Sequence, residues 1–159
     1  MLKVGRLADY GVLILHHLGR VTPARLSVET LAQLTRVPLP TVRKVMRFLT
    51  DAELVISKRG PTGGYQIARA PSAISLADAI AAVEGPPALT ECCAETPSCD
   101  LLEHCELASR WPGVNTIVLR VLERTSLADL DRFGTTPNHV PPPLRGLFAD
   151  AAPKTIEPH

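Results

Sequence analysis

The chain has 159 residues, about one domain's length, with 45% hydrophobic residues but only 4% aromatics, so its core must be aliphatic and is most readily packed by helices. The apolar run Gly11 to Leu15 near the N-terminus is too short to span a membrane and no cleavage site follows it, so a cytoplasmic protein without membrane association is expected. The net charge of +1 hides a division: residues 1–70 carry 11 Lys/Arg against 4 Asp/Glu, and residues 71–159 carry 6 against 12. The basic half suggests a polyanion-binding surface.

In chain order, Leu7, Ala8, Gly11, Val12, Leu15 and Leu18 recur at helical spacing between Val4 and Val21, and Pro23 ends that helix. Ser27, followed by Glu29 and Thr30, reads as a helix cap, with Val28, Leu31, Ala32 and Leu34 as the apolar side. The segment "RVPLP" breaks the helix, and Pro40 suits the first turn of another. There Val42, Val45, Met46 and Leu49 form the apolar face, while Arg43, Lys44 and Arg47 project elsewhere. Two short helices joined by a tight turn, the second rich in cations, make a helix-turn-helix. Thr41, Arg43 and Lys44 are expected at base edges of the major groove, and Arg47 at a phosphate.

Leu54-Val55-Ile56 and Tyr65-Gln66-Ile67 are β-prone, and "RGPTGG" between them needs glycine's freedom. A hairpin here is a wing, with Lys58 and Arg59 near its tip for phosphates or a narrow minor groove. Ser75 caps a helix that ends at Gly85. Helical periodicity resumes near Leu101 and runs to about Arg124, with Pro112 expected to kink or break it into two segments. "SLADL" at 126–130 reads as one last turn, and the proline-rich stretch beyond it as a disordered tail.

All four cysteines lie between Cys92 and Cys105. A reducing cytosol disfavours disulfides there. Cys93, Cys99 and Cys105 are spaced C-x5-C-x5-C, wider than the knuckles of zinc fingers. Soft thiolates at this spacing leave an iron–sulfur cluster, zinc, and buried or redox-active thiols all open.

The segment "LVISKRGPTGGYQIAR" resembles the wing of the IscR/NsrR family of winged-helix transcription regulators, whose hairpin reads "RGPxGGYxLAR". Arg59, Gly60, Pro61, Gly63, Gly64, Tyr65, Ala68 and Arg69 carry the match, and "LADYGV" and the helix-turn-helix agree with it. The cysteine segment, the following Trp and "SLADL" look most like the regulators of SUF iron–sulfur assembly genes. The resemblance implies a mainly α fold with a small β-hairpin wing, and three regions. Residues 1–71 would form the winged helix-turn-helix, 72–131 the cluster-binding loop and dimerisation helix, and 132–159 the tail. It further implies a homodimeric repressor, not an enzyme, that binds a pseudo-palindromic double-stranded operator and senses a 2Fe–2S or 4Fe–4S cluster.

Carried over, Cys93, Cys99 and Cys105 are the ligands and Cys92 is spare. Ala108 stands where one branch of the family has a ligating His; in the other branch an acid in the first helix of the partner subunit supplies the fourth ligand, and Asp9 matches that position, with His104 or Glu103 as alternatives. Glu53 stands where the family usually has Gly, so the helix there either takes a strained residue or ends another way. The competing readings are a redox enzyme or electron carrier using the cluster, and a DNA-binding regulator with structural zinc. Against an enzyme, the chain shows no Gly-rich nucleotide loop and no catalytic dyad.

Overall fold

The computed structural model describes residues 4–60 and 63–133. Five helices and one two-stranded hairpin follow one another as α1 (Arg6–Val21), α2 (Val28–Thr35), α3 (Leu39–Asp51), β1 (Val55–Lys58), β2 (Gly64–Ile67), α4 (Leu76–Glu84) and α5 (Trp111–Arg124). The fold is thus mainly α with a small antiparallel wing. Among the described residues, no helix is long and apolar enough to cross a membrane. The expectation of a disordered tail over 132–159 falls on residues outside those described, except Arg132 and Phe133, whose N–H groups donate to the Asp129 carbonyl at 2.9 and 3.1 Å.

Helix α1 is the hub. Its buried side, Ala8, Gly11, Ile14, Leu15 and Leu18, packs against α3 and α4. Ile14, Leu15 and Leu18 join Leu31 of α2, the α3 face Val42, Val45, Met46 and Leu49, and Ile67 of the wing in one cluster. Ile74, Ala79 and Leu127 belong to the same cluster. The chain beyond the wing therefore shares the core of the helix-turn-helix.

The helix ends follow local chemistry. The Ser27 hydroxyl accepts from the Thr30 N–H at 3.0 Å and caps α2. Pro40 lies in the first turn of α3, where its missing N–H costs nothing. At the other end of α3, the Glu53 N–H donates to the Thr50 carbonyl and the Leu54 N–H to the Leu49 carbonyl, at 3.0 and 2.9 Å. This is the paired closure normally built on glycine, and Glu53 adopts it with φ of 56°. Leu54 is buried beneath it. The glycine-type closure is kept, and a non-glycine residue bears the left-handed conformation.

The wing pairs Val55 with Ile67 through to Lys58 with Gly64. Leu26, just ahead of α2, exchanges two backbone hydrogen bonds with Tyr65, at 3.0 and 2.8 Å, and so fastens the hairpin to the helix-turn-helix. Gly64 has φ of 134°, and a Cβ there would lie 2.9 Å from the Leu26 carbonyl oxygen. Only glycine permits that approach.

The tetrapeptide Ser-Leu-Ala-Asp occurs at 75–78 and again at 126–129, and both copies form capping boxes. Ser75 and Ser126 also bridge: the Leu76 N–H donates to the Thr125 carbonyl at 2.8 Å, and the Leu127 N–H to the Ile74 carbonyl at 2.9 Å. The second copy opens a single 3-10 turn, Leu127–Asp129, in agreement with the expected last turn.

The segment from Leu101 differs from its periodicity. Residues 100–110 form turns, and the helix begins only at Trp111. Pro112 sits in its first turn, so it starts the helix and does not kink it. Leu101, Leu102 and Leu107 are exposed, and an apolar stripe with nothing to bury it does not by itself hold a helix.

Two stability outcomes follow. Relieving a left-handed non-glycine residue returns about 1–2 kcal/mol, against about 0.4–1 kcal/mol of added unfolded-state freedom. Glu53→Gly should therefore raise the unfolding free energy by about 0.5–1 kcal/mol in denaturant titration. The Ser126 hydroxyl and N–H, donating at 2.7 and 2.9 Å, hold the Asp129 carboxyl below the usual range. A depressed folded-state value means that this stabilisation is present above the ordinary carboxylate range and is lost as pH falls through the folded value. Asp129→Ala should cost about 1 kcal/mol at neutral pH, and the gap from wild type should close on acidification.

Candidate nucleic-acid interface and thiol loop

Six residues were expected at DNA. Thr41 is half-buried in the first turn of α3, whereas Arg43, Lys44 and Arg47 are exposed along the same helix. Lys58 ends β1 and Arg59 follows it, both exposed. Burial of Val42, Val45, Met46 and Leu49 turns the remaining positions of α3 outward. The Arg43 Nη2 donates to Glu29 Oε1 of α2 at 3.2 Å. Arg47 lies 3.8 Å from Asp51, one turn on, and the Lys44 ammonium lies 5.9 Å from the centre of the Phe48 ring.

An open groove of about 510 Å³ separates the start of α2 from the wing. Ser27 and Glu29 line one side, and Lys58, Arg59, Gly60 and Tyr65 the other. Its rim combines the cap of α2 with two cations for which no carboxylate partner lies within ion-pair distance among the described residues. Helix α3 and a basic wing on one folded unit suit the backbone and groove contacts of a winged helix on a duplex.

The cysteines occupy the connection between α4 and α5, whose longest regular element is the 3-10 turn Glu91–Cys93. All four are unpaired thiols of intermediate exposure. The Thr90 hydroxyl lies 3.1 Å from Cys92 Sγ and donates to Cys93 Sγ at 3.2 Å. Those two sulfurs are brought to one hydroxyl. Among the described residues, no three Cys, His, Asp or Glu side chains converge closely enough to hold a metal ion. As a donor set, three accessible soft sulfurs on one loop fit an iron–sulfur cluster or another thiophilic centre; the single chain does not gather them round a point.

Asp9 is exposed in the first turn of α1, a favourable place for a carboxylate at a helix N-terminus. The Gly5 N–H ahead of it donates to Glu84 Oε2 at 3.3 Å. The start of α1 is thereby tied to the end of α4, one residue before the thiol loop departs at Gly85. Glu103 and His104 are exposed on that loop. Where the loop leaves α4, the Leu89 N–H donates to Oδ1 of the buried Asn115 of α5 at 2.9 Å. An apolar cavity of about 380 Å³, lined by Ile80, Pro87, Val118 and Leu122 among others, lies beside this junction.

Glu29 and Thr90 were not among the residues singled out for these sites. Thr90 stands two residues before Cys92, a local signal that could have marked it. Glu29 reaches Arg43 across 14 residues and two helices, and no short-range pattern announces such a pair.

A family profile described as "Rrf2: Iron-dependent Transcriptional regulator" matches residues 5–132. "Protein rrf2" of Nitratidesulfovibrio vulgaris is 31% identical over 106 residues, covering 67% of this chain and 71% of that protein. The HTH-type transcriptional regulator CymR of Bacillus subtilis is 30% identical over 135 residues, covering 83% and 91%. The solved structure of B. subtilis CymR, described as the global cysteine regulator, has a TM-score of 0.67 at 28% identity over 84% of this chain and 99% of that one. T. potens IscR has a TM-score of 0.62 at 27% identity over 82% and 87%. The profile spans every helix and the wing, and its named members are regulators and not enzymes: the chain belongs to the Rrf2 family of winged-helix transcriptional regulators.

Proposed function

We propose that this chain is a homodimeric, cytoplasmic repressor of SUF-type iron–sulfur assembly genes that binds a pseudo-palindromic duplex and responds to an iron–sulfur cluster on the thiol loop. The observation that carries the reading is one loop bearing four free cysteines of intermediate exposure, Cys93, Cys99 and Cys105 among them, between α4 and α5, with Ala79 of α4 and Leu127 just after α5 both in the core shared with α3 and the wing. Cys93, Cys99 and Cys105 would supply three sulfur ligands, and Asp9 of a second subunit the fourth. Bound there, a 2Fe–2S or 4Fe–4S cluster supplies a centre that oxidants or nitric oxide can alter. A carboxylate is the hard, exchangeable member of such a set. Because Asp9 stands on α1, its engagement or release would act on the helix against which α3 packs. A coupling of about 1–3 kcal/mol changes operator affinity some 5- to 150-fold.

The exposed apolar residues Val114 and Ile117 of α5 support self-association. Thr41, Arg43, Lys44 and Arg47 would meet the major groove and its phosphates, with Lys58 and Arg59 at the minor groove. A second reading is favoured by one observation, the lack of three converging donors among the described residues. On that reading the chain works without a cluster, as a regulator of the kind named in its relative CymR.

Protein purified without air decides between them. The first reading expects iron and acid-labile sulfide with visible absorption, lost in Cys99→Ala and weakened in Asp9→Ala, and a duplex affinity that changes when the cluster is removed. Colourless protein with unchanged affinity supports the second, and stoichiometric zinc would instead indicate a structural metal. For the interface, Arg59→Ala should weaken binding and flatten the slope of log K against log salt by about 0.9. An unchanged slope removes Arg59 from the contacts.

A further inference from the structure

Of the three cations on the outer side of α3, Arg43 differs from its neighbours. Arg47 is paired within its own helix and Lys44 lies near a ring on its own helix. Arg43 alone among these three is held from a second helix, by Glu29 of α2 at 3.2 Å. Both side chains are more than half exposed, at 61% and 56%, so the pair adds little to the stability of the fold. Glu29 also borders the groove that carries Lys58 and Arg59. A carboxylate on this cationic side repels the phosphates of every duplex alike. Its own backbone N–H and the Arg43 guanidinium hold the Glu29 carboxyl below the usual range, so it is ionised at neutral pH.

We propose that Glu29 is a specificity-determining positioning residue, whose carboxylate holds one edge of the Arg43 guanidinium so that its remaining N–H donors face a base edge and do not swing to a phosphate. This rests on the reading that α3 enters the major groove. A guanidinium has five N–H donors in a rigid fork. With one engaged by Glu29, enough remain for the two-pronged contact that arginine makes with guanine. Glu29 thus lowers affinity for duplex in general and raises discrimination between duplexes.

The test uses the full chain and two duplexes: one enriched by the wild-type protein from a randomised pool, and a scrambled duplex of the same composition. Affinities are measured across a range of salt. Glu29→Gln keeps the shape and removes the charge. It should bind the scrambled duplex more tightly, steepen its salt dependence by about one phosphate contact, and reduce the ratio of the two affinities about tenfold. In an Arg43→Ala background the same substitution should leave the ratio unchanged, because Glu29 acts through Arg43. A merely structural role in the first turn of α2 would move both affinities together and leave the ratio alone. An unchanged ratio in Glu29→Gln, or a loss of equal size without Arg43, overturns the proposal while the interface stands. A wild-type chain that enriches no duplex from the pool overturns the reading of α3 and the proposal with it.

Discussion

Two backbone hydrogen bonds, exchanged between Ile74–Leu76 and Thr125–Leu127, fix how the second half of the described chain returns to the core. They join the residues just before α4 to those just after α5, so everything between them is an excursion closed at its base. Leu127 then inserts into the cluster built by α1, α2 and α3. The thiol loop is the far part of that excursion. Glu84 reaching the start of α1 and Asn115 holding Leu89 secure it at two further points. Under the proposed sensing, a change at the loop would have a packed path to α3, because α1 contacts both α4 and α3. Packed cores move between discrete arrangements more readily than they deform smoothly, and a pinned excursion is well suited to that.

The charge division in the chain acquires a spatial sense. The basic first half becomes α3 and the wing, but its cations are not equivalent. Arg43 and Arg47 already have carboxylates, whereas Lys58 and Arg59 have none within ion-pair distance among the described residues. Exposed pairs of this kind contribute little to folding. The wing therefore offers unpaired charge for attraction, and α3 offers cations whose direction is already constrained.

Much of this was legible because its signals are short-ranged. Ser27, Pro40 and Ser75 marked helix starts by chemistry that acts within one turn, and the glycines of the wing marked a hairpin that only they allow. Glu53 shows how far such rules reach. A missing glycine left two outcomes open, a strained residue or a different helix end, and the first holds: the buried Leu54 beneath it and two backbone bonds keep the closure at some strain. The contacts that define the sites were not legible. Glu29 with Arg43, Gly5 with Glu84 and Leu89 with Asn115 join residues 14, 79 and 26 positions apart, and only the packing of whole helices brings them together. The convergence of Cys93, Cys99 and Cys105 was inferred from spacing and resemblance, and spacing gives donor chemistry without giving a gathered site.

The misread helix start is informative in its own right. Leu101, Leu102 and Leu107 have helical spacing with the residues of α5, yet they lie in turns and are exposed, as are Val114 and Ile117. A periodic apolar pattern records burial, and a single copy of the chain gives these residues no surface to be buried against. Leu101 and Leu102 fall between Cys99 and Cys105, and Leu107 follows the last thiol. Under the proposed dimer, a surface that covers these leucines also covers the sulfurs beside them. Full burial of a large aliphatic side chain is worth about 1.5–3 kcal/mol, of which these part-exposed residues have about half still to gain, and the same step would lower the polarity around any thiolate-bound centre. Assembly and sensing would then draw on one set of residues, and a loop built of turns in one copy would have its sulfurs gathered when the second copy closes over it.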